Sequence, residues 1–320
     1  MLVLFAAAVK LPLFLHPQEI TAATFAGTLL APLVTWVSQL TTKVSLVFSL
    51  LAFLLLVGQA LFLNYFFNRH KLTSRPTDLP GMSYLLCTSL LPEWSQWSAP
   101  LLINFLILYL LNSLFESYHR TDSRSSLYNM GLIIGLGCFI YLPTIFVLVW
   151  FLLSLLIIRP VRMQEVMIAL LGVGTPFYFL AIVLFWNGQL FNGALRAHFT
   201  VSMPSAAPTV WLGGLLFLLA IPFLIGFYHI QDQVRKMLIQ VRRGWTVLFF
   251  LLIISFLIPL FSTSPYVGWV LLTLPLAVYH TSFYYYTSFR IFPLLFFWIT
   301  FFFILLNQYA GSWGKIIFVP

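Results

Sequence analysis

The chain has 320 residues, of which 61% are hydrophobic and 7% charged, with 16 basic and seven acidic side chains. Soluble domains carry about 25% charged residues, so this composition, with a mean hydropathy of +1.00, excludes a water-soluble protein. The net charge of +9 does not signal nucleic acid, because its residues sit in short loops between apolar runs, where positive charge sets membrane topology.

Apolar run length predicts eleven helices, near residues 1–15, 44–67, 81–92, 99–116, 128–142, 143–159, 164–186, 209–229, 244–261, 267–283 and 291–307. No loop is long enough to fold separately, so residues 1–320 read as one all-α transmembrane domain. The first segment is short and lacks a basic leader, and it does not read as a signal peptide. Residues 16–43 form a loop between the first and second spans. Its hydroxyl residues Thr21, Thr24, Thr28, Thr35, Ser38 and Thr42 recur at helical spacing, opposite a Leu, Val, Phe and Trp face. An amphipathic helix on the outer membrane surface, bent at Pro32, fits this period. A polar-striped twelfth span packed in the bundle fits it as well.

Further along, Pro80-Gly81 and Pro92 bracket the 81–92 segment closely, and Tyr141-Leu142-Pro143 turns one short helix into the next. Trp94, Trp97, Trp186, Trp211 and the Tyr284–Tyr286 run fall near span ends, as an aromatic belt does. Gly131, Gly135 and Gly137 lie in an apolar helix, where small residues serve packing rather than phosphate binding. The segment Gln231–Arg243 reads either as an amphipathic linker at an anionic leaflet or as a plain topogenic charge cluster. No internal repeat is visible.

Charge orients the bundle. With the N-terminus inside, the inner loops hold Arg69, Lys71, Arg75, Arg120, Arg124, Arg159, Arg162, Arg235, Lys236, Arg242, Arg243 and Arg290. The outer segments hold Lys43, Arg196 and Lys315, and Lys10 falls inside the first helix. Twelve against three is a positive-inside bias that agrees with eleven alternating spans and an outer C-terminus. It implies a multi-pass membrane protein.

The acids sort unevenly under this topology. Asp78, Glu116, Asp122, Glu165 and Asp232 lie inside among Arg and Lys, where solvated ion pairs are the default. Glu19 and Glu93 are outer, with His16, Lys43, Arg196 and His198. Such a set could transfer protons and hold a phosphate; two solvated turn carboxylates are the plainer account. Cys87 and Cys138 read as small core residues, and Asn104, Asn112 and Asn307 as interhelical hydrogen-bonding groups. None of the six His lies clearly mid-span, and no His/Cys cluster has metal-ligand spacing.

The order of elements resembles that of GT-C class membrane glycosyltransferases, which use polyprenyl-phosphate-linked sugars. Glu19, after the first helix, and Glu93, between the third and fourth, match by position the acidic residues of that class. A single Glu stands at the first site, where the class usually has Asp. Asn129–Gly137 followed by Tyr141-Leu142-Pro143-Thr144 also resembles a Gly-Leu-rich helix and Pro turn common in it. The resemblance implies Glu19 and Glu93 as catalytic carboxylates, acting as base or on a divalent metal, and Arg196 and His198 as groups for the carrier phosphate. His16 and Lys43 complete the candidate phosphate-binding set.

A resemblance over nearly the whole chain is to an uncharacterised family of polytopic inner-membrane proteins of Bacteroidetes-type bacteria. It rests on Leu11-Pro12-Leu13-Phe14, Gln59–Asn64, Leu79–Tyr84, and Pro92 through Arg159-Pro160-Val161-Arg162 to Gly174–Leu180. Three functions follow for testing: a GT-C-like transferase in envelope glycan assembly or its degenerate relative, a non-catalytic subunit or scaffold of an envelope complex, and a lipid or solute transporter. The first requires Glu19 and Glu93 close together at an outer cavity, and the last a polar path across the bundle.

Overall fold

The computed structural model describes residues 1–15, 17, 30–41, 43–118, 124–158, 162–188, 210–261, 266–289 and 291–317. In these residues the chain is all-helical. The α-helices are α1 (Leu2–Lys10), α2 (Pro12–Leu15), α3 (Leu30–Leu40), α4 (Val44–Arg69), α5 (Leu79–Ser89), α6 (Ala99–Ser117) and α7 (Arg124–Ile140). They continue as α8 (Ile145–Ile158), α9 (Met163–Trp186), α10 (Val210–Val234), α11 (Ile239–Leu257), α12 (Val270–Tyr286) and α13 (Ile291–Ile317).

Every predicted span position contains helix, but the lengths differ in a way that matters. Five helices are long and apolar enough to cross a membrane: Val44–Arg69, Ala99–Ser117, Met163–Trp186, Trp211–Val234 and Ile239–Phe261. Leu142–Ile158 and Ile291–Asn307 are shorter apolar helices. The 11 residues of α5 rise only about 16 Å at 1.5 Å per residue, half of a bilayer core of about 30 Å. This fits an integral membrane protein in which short helices are enclosed by longer ones. That all eleven cross is part of the reading proposed below.

Two short helices form the centre. From Pro80 to Ser89 only Met82 of α5 escapes full burial, and α12 is buried almost continuously from Val270 to Phe283. They pack on each other, with α4 and α1 against α5 and with α10 and α11 against α12. The outside is apolar as well: α9 exposes Leu171, Phe179, Val183 and Phe185, and α13 exposes Ile291, Leu294, Leu295 and Phe302. Continuous exposed apolar surface of this kind is a lipid-facing surface.

The pair α7 with α9 is built on glycine. A Cβ at Gly131 would collide with the Ala169 carbonyl oxygen, and one at Gly135 would come within 2.6 Å of the Val173 carbonyl oxygen. The i, i+4 pair therefore lets the two backbones touch, as the sequence predicts. On the other side, α3 seats Leu30 and Val34 on Phe48 and Ala99, and leaves Leu33 and Trp36 exposed. Thr35 and Ser38 donate to the carbonyls of Pro32 and Thr35. This is the C-terminal part of the predicted amphipathic helix; residues 18–29 lie outside the described residues.

The segment 231–243 joins α10 to α11. Gln231–Val234 end α10, and Arg242 and Arg243 belong to the first turns of α11. Arg243 is held there because its Nη1 donates to the Ile158 carbonyl at the end of α8, at 2.7 Å.

Loops predicted on one side meet at one end. Arg69 pairs with Glu116 at 3.0 Å, and the Ser74 hydroxyl meets that of Tyr285 at 2.8 Å. At the opposite end Trp94 Nε1 donates to the Tyr266 carbonyl at 3.0 Å, and Phe146 stacks obliquely on Phe261. These are called the basic end and the Glu93 end.

Candidate functional site

A short helix can be buried while carrying Ser83, Tyr84, Cys87, Thr88 and Ser89 only if its polar atoms are satisfied. Most are. Thr88 Oγ1 donates to the Tyr84 carbonyl at 2.9 Å, and Ser89 Oγ to the Leu85 carbonyl at 2.7 Å. Such back-bonding uses the hydroxyl hydrogen and leaves the oxygen lone pairs facing the interior.

Lys10 takes up those lone pairs. Its side chain is 1% exposed, and Nζ donates to Thr88 Oγ1 at 3.0 Å and to Ser95 Oγ at 2.7 Å. Ser95 in turn donates to the Thr88 carbonyl at 3.0 Å, so the direction of every bond in the cluster is fixed. Two of three ammonium donors are used, and no carboxylate lies within ion-pair distance among the described residues. Removing an ammonium from water costs several kcal/mol even after relaxation. Two hydroxyl acceptors offset part of that, at about 1.5–3 kcal/mol each. A buried lysine with no carboxylate partner among the described residues is a candidate functional position.

The turn after α5 holds Glu93 beside this cluster. Leu91, before Pro92, is extended, Pro92–Ser95 form a 3-10 turn, and Ser98 caps α6 by accepting from the Leu101 N–H. Trp94, bonded to Tyr266, and Ser95, bonded to Lys10, pin the turn from both faces. Glu93 Oε2 is buried and has no hydrogen-bond partner among the described residues; Trp97 Nε1, at the same end, is in the same condition. Buried orphans of this type call for an explanation in a native fold.

Two further clusters lie along α5 toward the basic end. His280 Nε2 meets the Leu219 carbonyl at 3.0 Å, so Nε2 carries the proton and Nδ1 accepts from the Cys87 thiol at 3.5 Å. Tyr84 donates to Gln59 Oε1 at 2.6 Å, and Asn104 Nδ2 donates to the Val270 carbonyl at 3.0 Å. At the start of α5, Asn64 Oδ1 accepts from the Gly81 N–H at 2.6 Å and its Nδ2 donates to Asp78 at 3.2 Å.

Of the six candidate residues, the structure places two. Glu93 lies in the pinned turn. Lys43 immediately precedes α4 and is exposed, with its backbone N–H on Thr41 Oγ1. Glu19, His16, Arg196 and His198 lie outside the described residues. Lys10 and His280 were not among the candidates. His280 corrects the expectation that no histidine lies mid-span: it is buried inside α12. For Lys10 the signal was present, as the one charge within the first apolar run. Asn104, Asn112 and Asn307 make the interhelical bonds expected of them, Asn307 to the Leu90 carbonyl at 2.8 Å. Both cysteines are buried and free.

No family model, no curated protein and no solved structure matches the chain. Among the described residues no group of His, Cys, Asp and Glu could hold a metal ion.

Proposed function

We propose that this membrane protein is a GT-C-like transferase that moves a sugar from a polyprenyl-phosphate carrier to an envelope glycan, at the Glu93 end of the bundle and on the outer face of a bacterial inner membrane. The observation that supports it is the buried Glu93 Oε2, without a hydrogen-bond partner among the described residues, in a turn that also anchors the buried Lys10. In this reading Glu93 accepts the proton of the acceptor hydroxyl as that oxygen attacks the anomeric carbon. The carbon–oxygen bond to the carrier breaks, and the carrier phosphate leaves with the negative charge. Lys10, in a low-dielectric setting, stabilises that charge where it is worth most. Glu19, His16, Lys43, Arg196 and His198 are the outer groups assigned to complete the site, and a divalent metal would be held by the carboxylates.

Glu93→Gln keeps the shape of the side chain and removes the base. It is expected to lower glycan transfer about 100-fold or more in inner-membrane vesicles, at unchanged protein abundance. An unchanged envelope glycan profile in cells carrying Glu93→Gln would instead assign the chain to a non-catalytic scaffold.

Transport is the second reading, favoured by the polar clusters that follow α5 from Asp78 and Asn64 through Tyr84, Cys87 and His280 to Lys10. Interior ionisable groups mark substrate or proton pathways in transporters. Loss of solute or lipid movement in Lys10→Gln proteoliposomes, with glycan transfer intact, would select it.

A further inference from the structure

At the basic end, a cavity of about 470 Å³ opens between the end of α4, the end of α6 and the start of α11. Its wall carries three consecutive residues, Arg69, His70 and Lys71, together with Phe115, Glu116 and Gln240. It is remote in the fold from Glu93, and nothing in the reading above uses it.

The basic wall is built, not incidental. Arg69 pairs with Glu116 at 3.0 Å and its guanidinium also lies 5.4 Å from the ring centre of Tyr65, whose hydroxyl it contacts. Glu116 accepts from Asn112 Nδ2 at 2.9 Å, which turns Asn112 Oδ1 toward His70 Nε2 at 3.1 Å. His70 Nε2 therefore carries the proton, and the four side chains form one chain of bonds that fixes the guanidinium at the cavity rim. Partial burial holds the His70 imidazole below its ordinary value, so it stays neutral at pH 7. The charge of the cavity then comes from Arg69 and Lys71 against Glu116.

Lys71 supplies the excess. It is exposed, no carboxylate pairs with it among the described residues, and its backbone has φ 51. A left-handed lysine is uncommon and costs free energy relative to Asn or Gly at the same place. Apolar groups come from Phe115 and from Leu238 and Val241 at the start of α11, with Gln240 between the last two. Basic groups on one wall and apolar groups on the other suit a ligand with a phosphate next to a hydrocarbon part.

We propose that this cavity binds a phosphate group, held by Arg69 and Lys71, with the apolar wall accommodating what the phosphate is attached to. The full-length protein is purified in detergent and tested in two arms. In one, it is reconstituted in nanodiscs of phosphatidylcholine with or without phosphatidylglycerol, and retained anionic lipid is counted by native mass spectrometry. In the other, inorganic phosphate is titrated in detergent and binding is read as a thermal shift.

Lys71→Asn removes the charge while suiting the left-handed backbone, and Arg69→Gln removes the paired guanidinium. Each is expected to weaken binding roughly tenfold, with Lys236→Gln, an exposed residue outside the cavity, as the unchanged control. Retention of phosphatidylglycerol alone identifies a lipid headgroup, and a phosphate shift alone identifies a soluble phosphate compound. Binding in neither arm overturns the proposal, as does binding that both variants leave unchanged. Because Arg69→Gln removes the ion pair with Glu116 and can disturb the fold, Lys71→Asn decides the matter if the two disagree.

Discussion

Lys10 separates structural from functional explanations most sharply. If it serves the fold, its two hydroxyl bonds hold α1 to α5 and removing them loosens the bundle. If it serves a ligand, the fold bears it at a cost. Thr88 and Ser95 keep their own carbonyl acceptors without Lys10, so an apolar side chain of similar length leaves no donor stranded. Lys10→Met is therefore expected to raise stability by about 1–4 kcal/mol or leave it unchanged, while abolishing activity. Thermal unfolding in detergent checks the first part, and a fall in Tm would make Lys10 a structural residue. The sequence shows the charge of Lys10 but not the hydroxyls that receive it, because these lie 78 and 85 residues further along the chain. Glu93 was legible because acids are so few that sorting them by loop isolates it; that its Oε2 is buried was not.

Among elements, α7 and α9 owe their contact to Gly131, Gly135 and Gly172. In lipid there is no hydrophobic drive to bring two apolar helices together, so close backbone packing carries the association. Gly131→Leu is expected to destabilise the protein by roughly 1–3 kcal/mol, read as a lower Tm in detergent. Gly58, with nothing within 4 Å of its added Cβ, is the control: Gly58→Ala should leave Tm unchanged or raise it slightly. Helix positions were legible throughout from apolar run length. The roles of α5 and α12 were not, since a short polar-studded segment reads as a weak span. Its place at the centre depends on the longer helices that surround it.

For the whole molecule, the contacts bring the Arg- and Lys-bearing loops together at one end and the Glu93 turn, Tyr266 and the Pro143 hairpin at the other. Such a grouping is what alternating spans would give. The orientation follows from the positive-inside rule and predicts a labelling result. In a background with Cys87 and Cys138 replaced, Lys236→Cys should react with an impermeant maleimide only after the membrane is opened, and Lys43→Cys in intact cells. The reverse pattern would invert the topology and move the Glu93 end to the cytoplasm.

The sequence by itself determined the membrane class, the all-helical architecture and the helix positions, and it supplied the loop charges on which the proposed sidedness rests. Each rests on local composition, on the length of an apolar run or on the charge between two runs, and a linear chain carries that information directly. Tertiary structure decided which short helices lie at the centre, that Lys10 is buried on Thr88 and Ser95, that His280 meets Cys87, and that Arg69 and Lys71 border a cavity. Those facts depend on pairs of residues far apart in the chain, which only packing brings within hydrogen-bonding distance.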